Sequence, residues 1–385
     1  MDSYITTNNS RKQKLLFLIF HEIDEGNGVS NKIKNQIKAF RHHGFDVDFS
    51  YLIKENGFLK KRKYNNDIIS SIEGNYHAQK YGYKYFYKEL FSKITEQGVD
   101  IIYIRYTHFA NPLFIKFLSK LKKKRIKVLL EIPTYPYDSE YKNVKFKQKL
   151  FLIIERLSRN FFKYYCDKIV TVSSDTKIFG TDTIIISNGI NIDKIKLKKK
   201  KQKPGEYRLI GVANIRFWHG FDRMIKGLHD YYSDKKNITK VYFDIIGDSS
   251  NKESLEYRNM VKEYRLQEFI IFNGVIKTEN LDPYFDKANL AVGSLGIHRI
   301  GLNEANPIKN REYCAKGIPF MYAMIDRDFD EKHFIHKVPD DDSNININAV
   351  IKFLEESNFS LESEREYAEE YLTWNSQIKK IIAQM

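Results

Sequence analysis

Glu304 and Glu312 bracket the segment best equipped for chemistry, Glu304-Ala305-Asn306-Pro307-Ile308-Lys309-Asn310-Arg311-Glu312, which runs on through Ala315-Lys316-Gly317-Ile318-Pro319. Pro307 suits the first turn of a helix, and Gly317 with Pro319 suits its exit into a strand. Glu304 then sits on the loop before the helix, and Glu312 projects from roughly a turn and a half inside it toward the same end. Between them the helix N-terminus offers partial positive charge to a pyrophosphate, and Lys309 adds a full one. Two carboxylates holding hydroxyl groups on either side of bound phosphates are the chemistry of a sugar nucleotide. Either glutamate alone reads as an ordinary surface residue.

A second anion-binding feature is Gly26-Asn27-Gly28-Val29-Ser30, a glycine-bearing turn entering a helix with Ile33, Ile37 and Phe40 on one face. It lacks the third glycine of a dinucleotide fingerprint, and by itself is more often a tight turn. The triplets Asp46-Val47-Asp48, Asp326-Arg327-Asp328 and Asp328-Phe329-Asp330 have the form that holds a divalent ion on a pyrophosphate, but acidic residues pair this often by composition. We expect neither a metal nor a cofactor. His42 and His43 beside Gly44 read as a helix C-terminus, and Cys314 as a buried small hydrophobe.

Strand-length apolar runs supply the elements that would position these residues. They fall at 15–20, 47–53, 100–106, 127–132, 168–173 and 183–187, with amphipathic patterns between them. The rhythm restarts at 207–213, 241–247, 269–274, 290–295 and 318–323. Near-continuous apolar strands alternating with helices predict an α/β fold of two Rossmann-like, doubly wound domains facing across a cleft. The expected division is an N-terminal domain over 1–192, a lysine-rich linker over 193–206, a C-terminal domain over 207–360, and a terminal helix over 361–385 that returns to the N-terminal domain.

Composition agrees with two globular domains. The 385 residues are 42% hydrophobic, which excludes disorder, a coiled coil and a collagen-like fibre. The net charge of +15 is uneven: residues 1–200 hold 38 basic against 20 acidic side chains, and the remainder 26 against 29. A basic half points to an anionic partner, nucleic acid or a membrane surface. Two cysteines cannot form a disulfide framework, and a reducing compartment is expected. The apolar run at 15–20 is too short for a signal peptide and reads as the first strand, so any membrane contact would be peripheral.

The Glu304 to Glu312 spacing followed by Ala315-Lys316-Gly317-Ile318-Pro319 resembles the signature of retaining glycosyltransferases of family 4, which have the GT-B fold. The resemblance extends over nearly the whole chain. Gly26 to Gly28 with Ile37, Phe40, His43-Gly44 and Asp46-Val47 is similar to the family's N-terminal loop, helix and strand, and Asn188-Gly189-Ile190-Asn191 to the motif closing its N-terminal domain. Gly211 to Arg223, Gly247-Asp248 and Asn273-Gly274-Val275 fall where its donor loops are expected. The segment Glu131 to Asp138 resembles a subgroup that assembles bacterial surface or capsular polysaccharide.

The resemblance implies a donor site in which Glu304 binds the sugar's hydroxyls, Glu312 the ribose, Val275 and Ile276 the base, and Gly28 the phosphate, with Gly247, Asn306 and Ile308 alongside. Family members hold the pyrophosphate with an Arg and a Lys at positions occupied here by Asn214 and His219, so Arg216, His219, Arg223 and Lys309 are expected to carry that role, and Glu304, Arg216 and His219 the catalysis. On the acceptor side Tyr106, His108, Tyr135 and Asp138 are the candidates.

The implied activity is transfer of a hexose from a nucleoside diphosphate sugar, UDP-sugar favoured, to a lipid-linked or oligosaccharide acceptor with retention and without a metal. The expected location is cytoplasmic, on the inner face of the membrane. Seven basic residues within 116–127, and eight within 141–168 mixed with Phe146, Leu150, Phe151, Ile154, Leu157, Phe161 and Phe162, fit an anionic membrane surface. Other classes remain open: an inactive GT-B scaffold subunit, a sugar-nucleotide epimerase, or a basic nucleic-acid or membrane-surface binder. No nucleic-acid recognition motif accompanies the lysines.

Overall fold

The computed structural model describes residues 11–24, 28–56, 58–73, 86–137, 146–199, 205–248 and 250–385. The chain divides into two compact units, Met1–Ser187 with Trp374–Met385, and Asn188–Thr373.

The first unit is built on a 9-stranded sheet of order β4-β3-β2-β1-β5-β6-β7-β9-β8. Its strands are β1 (Lys14–Ile19), β2 (Asp46–Glu55), β3 (Phe58–Tyr64), β4 (Asp67–Ser71), β5 (Ile101–Arg105), β6 (Lys127–Ile132), β7 (Lys168–Thr171), β8 (Lys177–Ile178) and β9 (Thr181–Ile185). From β2 through β9 neighbouring strands run parallel, whereas β3, β4 and β8 pair antiparallel at the edges. Leu15 to Ile19 are wholly buried, because helices cover both faces of a central parallel strand.

One covering helix is α1 (Gly28–His42), which turns Ile33, Ile37 and Phe40 onto the sheet. The others are α2 (Tyr87–Glu96), α3 (Pro112–Lys123), α4 (Phe146–Arg159) and α5 (Phe162–Tyr165). Asn111 caps α3 by accepting from the N–H groups of Leu113 and Phe114, with Pro112 at the first position.

The β3–β4 hairpin was not legible in the sequence, since Lys60 to Lys63 conceal the alternation of the strand. Arg62 is nevertheless fully buried. It donates to the Ile19 carbonyl at 3.2 Å and lies 4.7 Å from the centre of the Phe20 ring.

The second unit has a 6-stranded parallel sheet of order β12-β11-β10-β13-β14-β15, formed by β10 (Glu206–Val212), β11 (Lys240–Ile246), β12 (Ile270–Gly274), β13 (Leu290–Val292), β14 (Phe320–Tyr322) and β15 (Ile335–Lys337). Counted within the unit this is the doubly wound order 3-2-1-4-5-6, which reverses between its first and fourth strands. Its helices are α6 (Phe221–Ser233), α7 (Lys252–Glu263), α8 (Asp282–Lys287), α9 (Ile308–Ala315), α10 (Ile347–Glu356) and α11 (Leu361–Tyr371).

The division differs from the expected one in three places. It falls at Ser187/Asn188 rather than after residue 192, and residues 193–199 belong to the second unit instead of forming a free spacer. Lys198 N–H donates to the Lys316 carbonyl at 2.9 Å and Lys199 N–H to Asp286 at 2.7 Å, so backbone hydrogen bonds draw this lysine run onto the unit. Residues 200–204 lie outside the described part. The segment 361–385 is two helices, not one. The helix α11 stays in the second unit against α9, and α12 (Trp374–Ile382) joins the first, where Trp374, Ile378 and Ile381 pack beside Ile33 and Phe40.

Candidate functional site

In the second unit the loop leaving β10 enters a 3-10 turn, Phe217–His219, and then α6. Gly220 makes the junction possible: its φ is +66°, and a Cβ there would stand 2.8 Å from the Leu295 backbone. Leu295 and Gly296 N–H groups donate to the carbonyls of His219 and Trp218, which fastens this loop to the one following β13, at the switch point of the sheet. A second loop passes close by. Gly247 follows β11, and a Cβ there would collide with the Ala213 carbonyl at 1.8 Å.

The Arg216 backbone N–H donates to Nδ1 of His219 at 3.0 Å, so the neutral ring carries its proton on Nε2. Burial, and then the nearby Lys309 cation, push the His219 pKa down to about 3, so the ring is neutral across the physiological range. Lys309, in the first turn of α9, has no hydrogen-bond partner for its Nζ, which is shut off from solvent although the residue as a whole is only half-buried. Burial pushes its pKa down to about 7. An unpaired ammonium beside a helix N-terminus and a neutral imidazole with a free N–H forms a site for an anion.

Glu304 lies on the loop before α9, in a parallel bridge with Ile325. Arg327 donates to Glu304 Oε1 from Nε at 2.7 Å and also from Nη2. The helix itself begins at Ile308, with Pro307 one residue outside it as the cap. Asn306 is held by Arg311, whose wholly buried guanidinium reaches Asn306 Oδ1 at 2.6 Å and Asp326 from two nitrogens, with a further contact to Asp328. Arg311 and Arg327 were missed as site-building residues. An arginine within or seventeen positions from an Asp-x-Asp triplet signals an ion pair as readily as a metal does.

All three Asp-x-Asp triplets have their carboxylates engaged by side chains. Asp48 accepts from Tyr64 and Asn65 and pairs with Lys14; Asp326 and Asp328 pair with Arg311; Asp330 accepts from Lys337 and Tyr322. Among the described residues no cluster of metal-ligating side chains is present.

Glu312 is exposed at the surface, while desolvation of its carboxyl by the surrounding protein raises the pKa and Lys316 opposes the rise. Asn214 is exposed on the β10 loop, Ile308 is exposed at the start of α9, and Val275 is 77% exposed with Ile276 tucked against the core beside it. Arg223 departs from expectation. Its guanidinium is fully buried in the base of α6 and donates to the carbonyls of Ser343, Leu295 and Pro339, so it braces loops and has no face for a ligand.

The remaining candidates belong to the first unit. Gly28 opens α1, with empty space where a side chain would go. Tyr106 is buried, its hydroxyl donating to Glu155 at 2.6 Å, and so is a core residue and not a surface for an acceptor. His108, at φ +56°, stacks on Tyr137 with ring centroids 3.6 Å apart. Tyr135 packs half-buried against the core. Asp138, Gly26 and Asn27 lie outside the described residues.

No protein-family model and no curated protein matches the chain. Solved structures do. It is similar to sucrose-phosphate synthase from Thermosynechococcus elongatus, at 15% identity and a TM-score of 0.61 over 97% of this chain and 99% of that one. It is similar to a glycosyltransferase from Rickettsia africae, at 14% identity and 0.62 over 97% of each chain. The Anabaena protein HepE, solved in complex with UDP, matches at 12% identity and 0.60 over 97% of this chain and 100% of that one. The shared property is the fold: GT-B, with two Rossmann-like α/β units.

Proposed function

We propose that the chain is a hexosyltransferase that uses a nucleoside diphosphate sugar, a UDP-sugar first, and acts with retention and without a metal. The observation that carries this reading is Lys309, an unpaired and desolvated ammonium in the first turn of α9 beside the neutral His219. A bound diphosphate would supply the counter-charge that the folded chain does not. Arg216 and the Nε2–H of His219 add donors to the leaving phosphate, and Glu304, steadied by Arg327, accepts from the sugar's hydroxyls. Retention by a front-face route needs no protein nucleophile, and comes from the resemblance to family 4. HepE, similar in fold, was solved with UDP, which supports the choice of base.

The acceptor in this reading is lipid-linked or a glycan, in surface polysaccharide assembly on the cytoplasmic face of the membrane. The outer face of α4 supports a membrane contact. Among its described side chains the buried ones are polar, Glu155 and Ser158, whereas Leu150, Phe151, Ile153 and Leu157 are exposed among Lys149 and Arg156. That inversion of the usual helix pattern fits an anionic lipid surface. No described helix is long and apolar enough to cross a membrane.

Thermal-shift measurements with UDP-, GDP-, ADP- and TDP-sugars test the donor assignment. A UDP-sugar should raise the Tm, and Glu304→Ala should abolish transfer with folding intact. If no nucleotide sugar stabilises the protein, the assignment fails. Binding without transfer or hydrolysis would mark an inactive scaffold subunit.

A further inference from the structure

The loop leaving β10 turns on three residues, Phe217–His219, a 3-10 helix too short to hold its own shape. Its own backbone bonds are His219 N–H to the Arg216 carbonyl at 2.9 Å and a longer one, Gly220 N–H to the Phe217 carbonyl, at 3.3 Å. The rest of its support comes from the segment after β13. Leu295 N–H donates to the His219 carbonyl at 3.0 Å, and Gly296 N–H to that of Trp218 at 3.2 Å. The next carbonyl in the row, that of Phe217, is reached by a side chain instead: Arg299 donates to it from Nη1 at 2.8 Å.

Arg299 is itself closely held. Nη1 and Nη2 fork onto the two oxygens of Asp222, in the first turn of α6, at 2.8 and 2.9 Å. Nε donates to Oδ1 of Asp342 at 2.7 Å, and Nη2 stands 2.6 Å from the same oxygen. The side chain lies against Gly296, where a Cβ would be 3.1 Å from its Cδ and 3.2 Å from its Nε. With every nitrogen engaged, two carboxylates offsetting the charge and only 18% exposure, this guanidinium has little to offer a ligand directly. What it sets is the shape of the turn. The bond from Arg216 N–H to Nδ1 of His219 exists only while the turn keeps the two residues in place, and that bond puts the proton of the neutral ring on Nε2.

We infer that Arg299 is a positioning residue: by tying the Phe217 carbonyl to Asp222 and Asp342 it holds the turn in which Arg216 imposes the Nε2–H form on His219. That this proton serves a departing diphosphate rests on the glycosyltransferase reading; the control of the tautomer does not. Lysine cannot take its place, because an ammonium lacks the planar fork that spans Phe217, Asp222 and Asp342 at once.

Nitrogen-15 NMR of the histidine rings, on the full chain without ligand at neutral pH, reads the tautomer directly, and His219→Asn identifies the signals of that ring. The parent should show His219 with a bare Nδ1 and a protonated Nε2. Arg299→Met should mix the two neutral forms. Arg299→Lys keeps the charge and the stem should the methionine variant not fold, and should give the same mixed spectrum. With a UDP-sugar, the variants should lose about ten- to a hundredfold in kcat while KM changes by less than about threefold, since donors to a leaving group act most in the transition state. A parent-like ring spectrum in the variants, a lysine variant that behaves as the parent, or a loss carried by KM alone overturns the inference. Failure of the donor reading would instead appear as absence of transfer by the parent, with the ring spectra still changed in the variants.

Discussion

Arg327 directs two N–H groups at a single oxygen of Glu304, Oε1, and thereby fixes the carboxylate that precedes α9. Neither side chain is deeply buried, at 38% and 29% exposure, so the pair adds little to stability and its effect is on orientation. Arg327→Met should leave the Tm within about 1 °C and UDP affinity unchanged, yet lower kcat/KM for transfer by about ten- to a hundredfold, since a misplaced group costs on that scale. Steady-state kinetics beside UDP calorimetry check it. Wild-type turnover in the variant would remove Arg327 from the site.

Lys309 gives a pH dependence with a definite sign. Its pKa in the free protein is about 7, and a diphosphate at its Nζ must raise it. Binding then takes up a proton at any pH between the free and bound values. Affinity for UDP should accordingly fall as pH rises above 7, by at most about tenfold per unit. Calorimetry at pH 8 in two buffers of different ionisation enthalpy measures the uptake. Lys309→Met should abolish both the uptake and the pH dependence without loss of Tm, because the ammonium it removes is desolvated and unpaired. A pH-independent affinity would contradict the assignment.

What could be read beforehand divides along physical lines. The parallel strands were visible because both faces are covered and their runs are apolar, as at Leu15 to Ile19. The helix bearing Lys309 was visible through Pro307 and Gly317, which mark backbone geometry. Arg223 was misplaced because a sequence position near donor loops does not reveal which way a side chain turns, and this one turns inward to three carbonyls. Tyr106 failed for the same reason, through Glu155, which is 49 residues away.

Arg223→Leu separates bracing from binding. The carbonyls of Leu295, Pro339 and Ser343 would lose their donor, at a cost of about 3 kcal/mol. Urea titration should show that loss, with UDP affinity of the folded fraction nearly unchanged. Reduced affinity at undiminished stability would restore Arg223 to the donor site.

Glu364, in the first turn of α11, has both carboxyl oxygens buried without partners, and burial pushes its pKa up to about 8. The unfolded chain releases this proton near pH 4.5 and the folded one only near 8. Stability should therefore fall as pH rises from about 4.5 to 8 and level off above, with a loss of order 3 kcal/mol by neutrality. Glu364→Gln should flatten the Tm profile across that window. An unchanged profile would mean the carboxyl finds a partner.

The inverted face of α4 can be tested without knowing the acceptor. Ile153 and Leu157 are 52% and 64% exposed, and Glu155 between them is turned inward to accept from Tyr106 and Tyr137. Ile153→Glu with Leu157→Glu therefore changes the outer face alone and should leave the Tm near that of the parent. Flotation with vesicles containing phosphatidylglycerol should recover the parent chain and lose the variant, because the change removes apolar burial and adds like charge to an anionic surface. Vesicles of phosphatidylcholine alone should recover less of the parent, and 1 M salt should release part of what binds, leaving the apolar share. Equal flotation of parent and variant would show that α4 does not meet the lipid.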